Sequence, residues 1–334
     1  MWLDNGLISV EVAPERGAEV RYLGPPGGAN LLYHADAEVP LRASRSTGYG
    51  SDELDWLSEY RGGWQELFPN AGAACVVDGV PLAFHGEASA AWWQVVESGP
   101  RHAVLRTATR LPLMLERRMR LAADRPVLLV EETARNICDR PVDFVWGHHP
   151  AFDARPGARL DLAGGVARVP SDYDPPGNDL RPGGSGRWPF VPGKRDGDTD
   201  LRLGPDGRCE RVVYLTDVPA GWAALRHPAD GIGVGLAWDL DTFPHLWLWT
   251  EVGGPGFPWY GRSRILAVEP ATAWPNDGLA AARDRGQAHR LEPHAQRATW
   301  LTVSLFPADA RPVLDIARDG SARHGDAVGP EESR

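Results

Sequence analysis

The sequence predicts an all-β protein, a large antiparallel β-sandwich with a few short helices. Three observations predict it. Apolar runs with period-two alternation recur along the 334-residue chain, as expected of strands with one buried face. Gly, Pro, Asn and Asp punctuate those runs in the way tight turns require. Helical periodicity is confined to two short stretches. Two large sheets packed face to face are the economical way to bury so many strands.

The elements follow in chain order. LISVEVAP alternates near the N-terminus, and DELDWLSEY (Asp52 to Tyr60) reads as a two-turn helix. AVLRTATRL is a further strand. MLERRMRLAADRPVLLVEETARN reads as two strands joined by a tight Ala-Asp-Arg-Pro turn. VDFVWGHHPAFD reads as a strand running into a Pro-ended turn. Pro175 to Asp200, dense in Pro, Gly and charge, reads as a long loop of the kind that forms lids or binding loops. GWAALRHPADGIGVGLAWD is a hairpin turning at Pro228-Ala229-Asp230-Gly231. DGLAAARDRG (Asp277 to Gly286) is the second short helix, and ATWLTVSLF the last long strand. No repeat or linker divides the chain, so residues 1–308 are expected to form one catalytic domain. Residues 309–334, polar and Gly-rich, are expected to be a disordered tail.

A net charge of −10, spread along the chain, disfavours nucleic acid and anionic membrane as partners. The scattered Cys75, Cys138 and Cys209 suit neither a disulfide framework nor a zinc site, and read as reduced thiols of a cytoplasmic protein. MWLDNGLISVEV has neither the basic start nor the apolar region of a signal peptide. No run approaches the ~18 apolar residues of a membrane helix. Fourteen Trp stand against seven Tyr and eight Phe. Most are expected in the core, but a Trp face with its single N–H donor also suits the C–H faces and hydroxyls of a sugar.

Four segments carry residues capable of chemistry. GGWQELFPNAG holds Trp64 and Glu66 in a turn-rich stretch, where they either face a ligand or serve as a loop anchor and an ion pair. FHGEA places His85 beside a glycine that permits close approach. In WGHHPAFD, strand parity turns His148 and His149 to opposite faces, so at most one of them is the acid–base group. Glu269 ends the apolar run Ile265 to Val268, where burial raises a carboxyl pKa and suits it to base chemistry near neutrality. The plain alternative is a strand-end Glu paired with Arg262 or Arg264.

In combination and order these segments resemble the aldose 1-epimerase (galactose mutarotase) family. The resemblance runs from about Leu7 to about Leu305 through ISVEVAPERGAEVRYLG, GWQELFPN, FHGE, VEETARN, HHPAF, LWLWTEVGG and LAVEPATAWPNDG. It implies a β-sandwich isomerase acting on a free monosaccharide without cofactor or metal, as monomer or homodimer. His149 matches the histidine that protonates the ring oxygen, Glu269 the carboxylate that takes the anomeric proton, and His85 the histidine near the ring oxygen. The matching segments also place Trp64, Glu66, Asn70, His148, Trp249 and Trp274 in the set expected to contact substrate. Two departures stand out. Asn70-Ala71-Gly72 follows Phe68-Pro69 where many members have a sugar-binding arginine, and neither Asp239 nor Asp241 sits in a matching motif for the family's substrate-binding aspartate. Three rivals remain. A hexose-phosphate epimerase would need an arginine cluster such as Arg61, Arg262 and Arg264. A non-catalytic sugar-binding or regulatory protein has no need of an acid–base pair, and the third rival is a lyase or hydrolase, of which glycoside hydrolysis usually needs two carboxylates.

Overall fold

The computed structural model describes residues 1–35, 51–205 and 207–326. Two antiparallel sheets carry the chain. The ten-stranded sheet runs Trp2–Asp4, Ser9–Ala13, Glu19–Gly24, Trp64–Leu67, Gly147–Asp153, Arg264–Ala271, His245–Val252, Cys209–Thr216, Val166–Arg168, Ser185–Arg187. The eight-stranded sheet runs Arg159–Leu162, Trp222–His227, Ile232–Trp238, Gln296–Pro307, Val127–Asn136, Leu113–Leu121, His102–Ala108, Gln94–Gly99. The alternating runs lie in these strands except in VDFVWGHHPAFD, where Val142–Phe144 pairs separately with His289–Leu291 and Gly147–Asp153 continues as a strand through Pro150 with no turn there. Both expected hairpins form, with Leu128 opposite Leu121 and His227 opposite Ile232.

The sheets bury a continuous core between them, in which Trp93, Trp146 and Trp238 are each at most 2% exposed. Alternation places Leu266 and Val268 of one central strand, and Leu246 and Leu248 of its neighbour, against that core. Their partners at odd positions face the other way. There a second, aromatic cluster forms from Tyr33, Tyr60, Ala151, Ile265 and Ala267, with Trp56, Trp249 and Trp259 packed on it. Both faces of the central strands are therefore buried, which is why they read as near-continuous apolar runs.

Among the described residues the two α-helices are Asp52–Glu59 (α1), capped by the Ser51 side chain accepting from Leu54 N–H, and Gly278–Asp284 (α2). Among the described residues no helix is long and apolar enough to cross a membrane.

Two expectations need correction. Pro175 to Asp200 is not structureless: Ser185–Arg187 extends the ten-stranded sheet, and Phe190–Pro192 pairs with Asp198–Asp200 around the buried Val191. Nor is 309–326 a disordered tail. Val313–Ile316 pairs with Ala322–His324 and inserts Val313 and Ile316 among Trp222, Ala224 and Phe306. Polar composition hid two apolar anchors that cover the outer face of the eight-stranded sheet. Residues 327–334 lie outside the described residues.

Candidate active site

A cavity of about 860 Å³ opens on the aromatic face of the ten-stranded sheet. Its floor follows from strand register. Gly147 pairs with Ala271 and Ala151 with Ala267, which sets His149 beside Glu269 on the same face. The small side chains of Ala151 and Ala267 leave room for the aromatics that enclose the pair.

His149 Nε2 lies 3.6 Å from Glu269 Oε1, and the two residues are 2% and 3% exposed. Burial alone pushes the Glu269 carboxyl well above the ordinary carboxylate range. Burial also pulls His149 down to about 4. Burial thus favours the neutral form of both groups, with the proton of the pair on Glu269. The Tyr60 phenol sits 3.4 Å from His149 Nδ1, and burial holds that phenol un-ionised. With Glu269 protonated, the complementary tautomer has His149 Nδ1–H donating to Tyr60 and a bare Nε2 facing Glu269.

His85 completes the polar set. Its backbone adopts a left-handed φ of 61°, and its ring lies 5.7 Å from that of His149. Gly72 holds it twice: His85 N–H donates to Gly72 O at 2.9 Å, and Gly72 N–H donates to His85 Nδ1 at 3.1 Å. Burial, then the neighbouring His149, keeps His85 well below its ordinary value. The neutral ring with an accepting Nδ1 carries its proton on Nε2, a donor for a ligand oxygen. A side chain at Gly72 would collide with Asn276 O, 1.9 Å from where its Cβ would lie. Trp56 stacks on Tyr60 at 4.5 Å and sets its edge against His85 at 4.7 Å and His149 at 5.5 Å. Trp249 closes the other side, 5.7 Å from His149.

The fold has counterparts among solved structures. The Slr1438 protein from Synechocystis sp. PCC 6803 superposes with a TM-score of 0.66 at 19% identity, over 92% of this chain and 96% of that one. A galactose mutarotase-like protein from Lactobacillus casei ATCC 334 gives 0.63 at 19% identity, over 92% and 99%. An aldose epimerase homologue from C. elegans gives 0.61 at 14%, over 92% and 99%. This chain has the galactose mutarotase-like fold. A domain family of unknown function (DUF4432) matches residues 200–305, the part of the fold that contributes Trp249 and Glu269. No curated protein matches the sequence.

Within the galactose mutarotase-like fold, the cavity gathers His85, His149, Glu269, Trp249 and Trp274 from the residues singled out in the sequence. Four others stand elsewhere, so their expected contact with substrate is corrected. Trp64, Glu66 and His148 point into the core between the sheets. Trp64 Nε1 donates to His148 Nδ1 at 3.2 Å, and Glu66 pairs with Arg117. Arg117 also bonds Glu132 at 2.6 Å, whose other oxygen lies 3.1 Å from His148 Nε2. Glu66, Glu132 and His148 have the spacing of a metal-ligand group, but Arg117 already supplies the cation. The stretch around Trp64 reads as a turn, yet Trp64–Leu67 is a fully buried strand, and its parity sends Trp64 and Glu66 inward. Asn70 is completely buried and is a staple. Its amide donates to Ala73 O and Ala83 O at 2.9 Å each, and its oxygen accepts from Leu279 N–H at 2.7 Å.

Asp239 accepts the hydroxyls of Thr242 and Thr299 in a turn and, like Asp241, does not line the cavity. Arg61, Arg262 and Arg264 do not line it either, and Arg264 pairs with Asp153. Several lining residues carried no signal in the sequence, among them Trp56, Arg168, Tyr214 and Asn276. Asn276 was within reach of the WPNDG segment, in which only Trp274 was singled out. Its Oδ1 accepts from the Tyr214 hydroxyl at 2.5 Å.

Proposed function

We propose that the protein is an aldose 1-epimerase, interconverting the α and β anomers of a monosaccharide by acid–base ring opening and reclosure. The observation that carries this reading is the buried His149–Glu269 contact of 3.6 Å at the floor of an aromatic-walled cavity. Proton movement between those two atoms yields a carboxylate–imidazolium pair. Glu269 then takes the anomeric hydroxyl proton while His149 delivers one to the ring oxygen, and the hemiacetal C1–O bond breaks. The open-chain aldehyde is left facing a protonated Glu269 and a neutral His149. That is the protonation state burial favours in both groups. Rotation about C1–C2 presents the other carbonyl face, and reclosure reverses both transfers. His85 Nε2–H supplies a hydrogen bond beside the ring oxygen, and Trp249 and Trp56 offer flat faces for the sugar's C–H surface.

The test is polarimetry on freshly dissolved α-D-glucose, α-D-galactose and other aldoses, with wild type, Glu269→Gln and buffer alone. Each positioned acid–base group contributes roughly 10²–10⁴-fold, so Glu269→Gln should fall close to the buffer rate. Equal rates for wild type and Glu269→Gln would overturn the assignment.

A further inference from the structure

We propose, resting on that reading, that Arg168 sets substrate specificity and that the sugar carries an oxyanion, a carboxylate or a phosphate, at the end remote from C1. The argument starts from register. Ser185 pairs with Arg168, Arg168 with Tyr214, Tyr214 with Trp247, and Trp247 with Glu269. Residues directly opposite one another in a sheet share a face, and all five line the cavity. Glu269 and Arg168 therefore stand three strands apart in one cross-strand row. Three strand spacings of about 4.8 Å separate their backbones by about 14 Å. Side chains reaching inward from both ends leave a gap suited to a pyranose with one exocyclic substituent.

The guanidinium is held for that task. Arg168 Nε donates to Thr216 Oγ1 at 3.1 Å, and the group lies over the Trp274 ring at 5.0 Å. One edge and one face are thereby fixed, and the terminal amino groups are left for a ligand. Among the described residues, no carboxylate lies within ion-pair distance of Arg168. The nearby carboxylates are otherwise engaged or weak. Asp277 is held bidentate by Arg285, and Glu210 accepts the Tyr173 hydroxyl. Asp172, Glu53 and Asp217, the last accepting from the same Thr216 hydroxyl that Arg168 bonds, are exposed, where water and salt screen them. A planar, always-charged fork with open donors matches two oxygens of a carboxylate or phosphate better than it matches single hydroxyls. The chain lacks an arginine after Phe68-Pro69, and the cavity takes its arginine from a different strand, Val166–Arg168.

Two readouts test this on wild type, Arg168→Met and Arg168→Lys. NMR exchange spectroscopy follows anomer interconversion of D-glucose, D-glucuronate and D-glucose 6-phosphate, with the galactose series alongside. Saturation-transfer NMR follows binding of the same sugars. A charge-assisted contact predicts a KM lower by about tenfold or more for the fitting charged sugar than for its neutral parent. Arg168→Met should erase that preference by raising KM for the charged sugar about tenfold or more relative to its neutral parent, and Arg168→Lys should restore part of it. Whichever charged sugar responds names the source of the oxyanion. Equal handling of charged and neutral sugars by wild type, or equal loss for both in Arg168→Met, would overturn the inference and leave the epimerase reading standing. Arg168-dependent binding of a charged sugar without anomer exchange would do the reverse. Neither exchange nor Arg168-dependent binding would remove both.

Discussion

His148 and His149 are adjacent in sequence and serve opposite sides of one strand. His149 faces the cavity and Glu269 at 3.6 Å, while His148 faces the core and Glu132 at 3.1 Å. The fully buried network around His148 bridges the sheets, because Glu66 comes from one and Arg117 and Glu132 from the other. Burial, with Glu132 beside it, pushes the Glu66 carboxyl up to about 7. Burial opposes ionisation of Glu132 too, but His148 and Arg117 hold it below the usual range. One carboxylate thus balances Arg117, and Glu66 retains its proton at mildly acid pH. The strand that aims His149 is fastened from behind by this cluster.

Removing the cation tests the network. Arg117→Met removes one of the two partners that hold Glu132 ionised in the buried core, and breaking such a pair costs about 3–5 kcal/mol. Urea denaturation should show a lower midpoint with an unchanged slope. A midpoint equal to wild type would mean that the network does not stabilise the sandwich.

Tyr60→Phe isolates the phenol at His149 Nδ1. The ring stack with Trp56 is kept, so the cavity shape should persist. Loss of one hydrogen bond, about 0.5–1.5 kcal/mol, predicts a several-fold fall in kcat with KM little changed. A change confined to KM would show that Tyr60 contacts the sugar and does not orient His149.

Ile316→Ala tests the C-terminal hairpin. Ile316 is 3% exposed, and its side chain packs against Gly235 of the eight-stranded sheet. Truncating a buried Ile costs about 2–5 kcal/mol. Thermal denaturation that matched wild type would make the hairpin an ornament on the sheet.

Glu19 gives a stability prediction with a definite sign. It is 1% exposed, with Arg16 and Arg21 each at 3.7 Å. Burial outweighs both arginines and pushes its carboxyl from 4.5 up to about 7. The native state therefore binds more protons than the unfolded chain between those values. This contribution is fully present below 4.5 and is lost as pH rises through 7. Glu19→Gln should gain on wild type from pH 5 to pH 8, by up to about 3 kcal/mol. Parallel stability curves for the two proteins would refute the burial argument.

Strand parity made much of this legible. Period-two alternation located Val127–Asn136 and its neighbours, and the same parity turned the two histidines apart before any contact was known. It misled where a strand was mistaken for a turn, as with Trp64 and Glu66, whose Gly-Gly prelude suggested a loop. Arg168 was invisible for a different reason. It sits in a three-residue strand, and its relation to Glu269 exists only through the register of three intervening strand pairs. Val313 and Ile316 were too sparse to stand out in a polar stretch, although each fills a place on the sheet.

The pH dependence of anomer exchange tests the pair itself. Ring opening needs one proton on the His149–Glu269 pair, no more and no fewer. His149 gains a second proton only as pH falls through about 4. Glu269 surrenders the last one only above its raised value. After subtraction of the uncatalysed rate, kcat/KM should rise through a pH near 4 and fall again on a limb shifted above the ordinary carboxylate range. Tyr60→Phe should lower the plateau and keep both limbs, because burial sets them and the phenol does not. An acid limb at the ordinary 6.5 of histidine would mean that His149 is solvated in the working enzyme and that its burial does not set the chemistry.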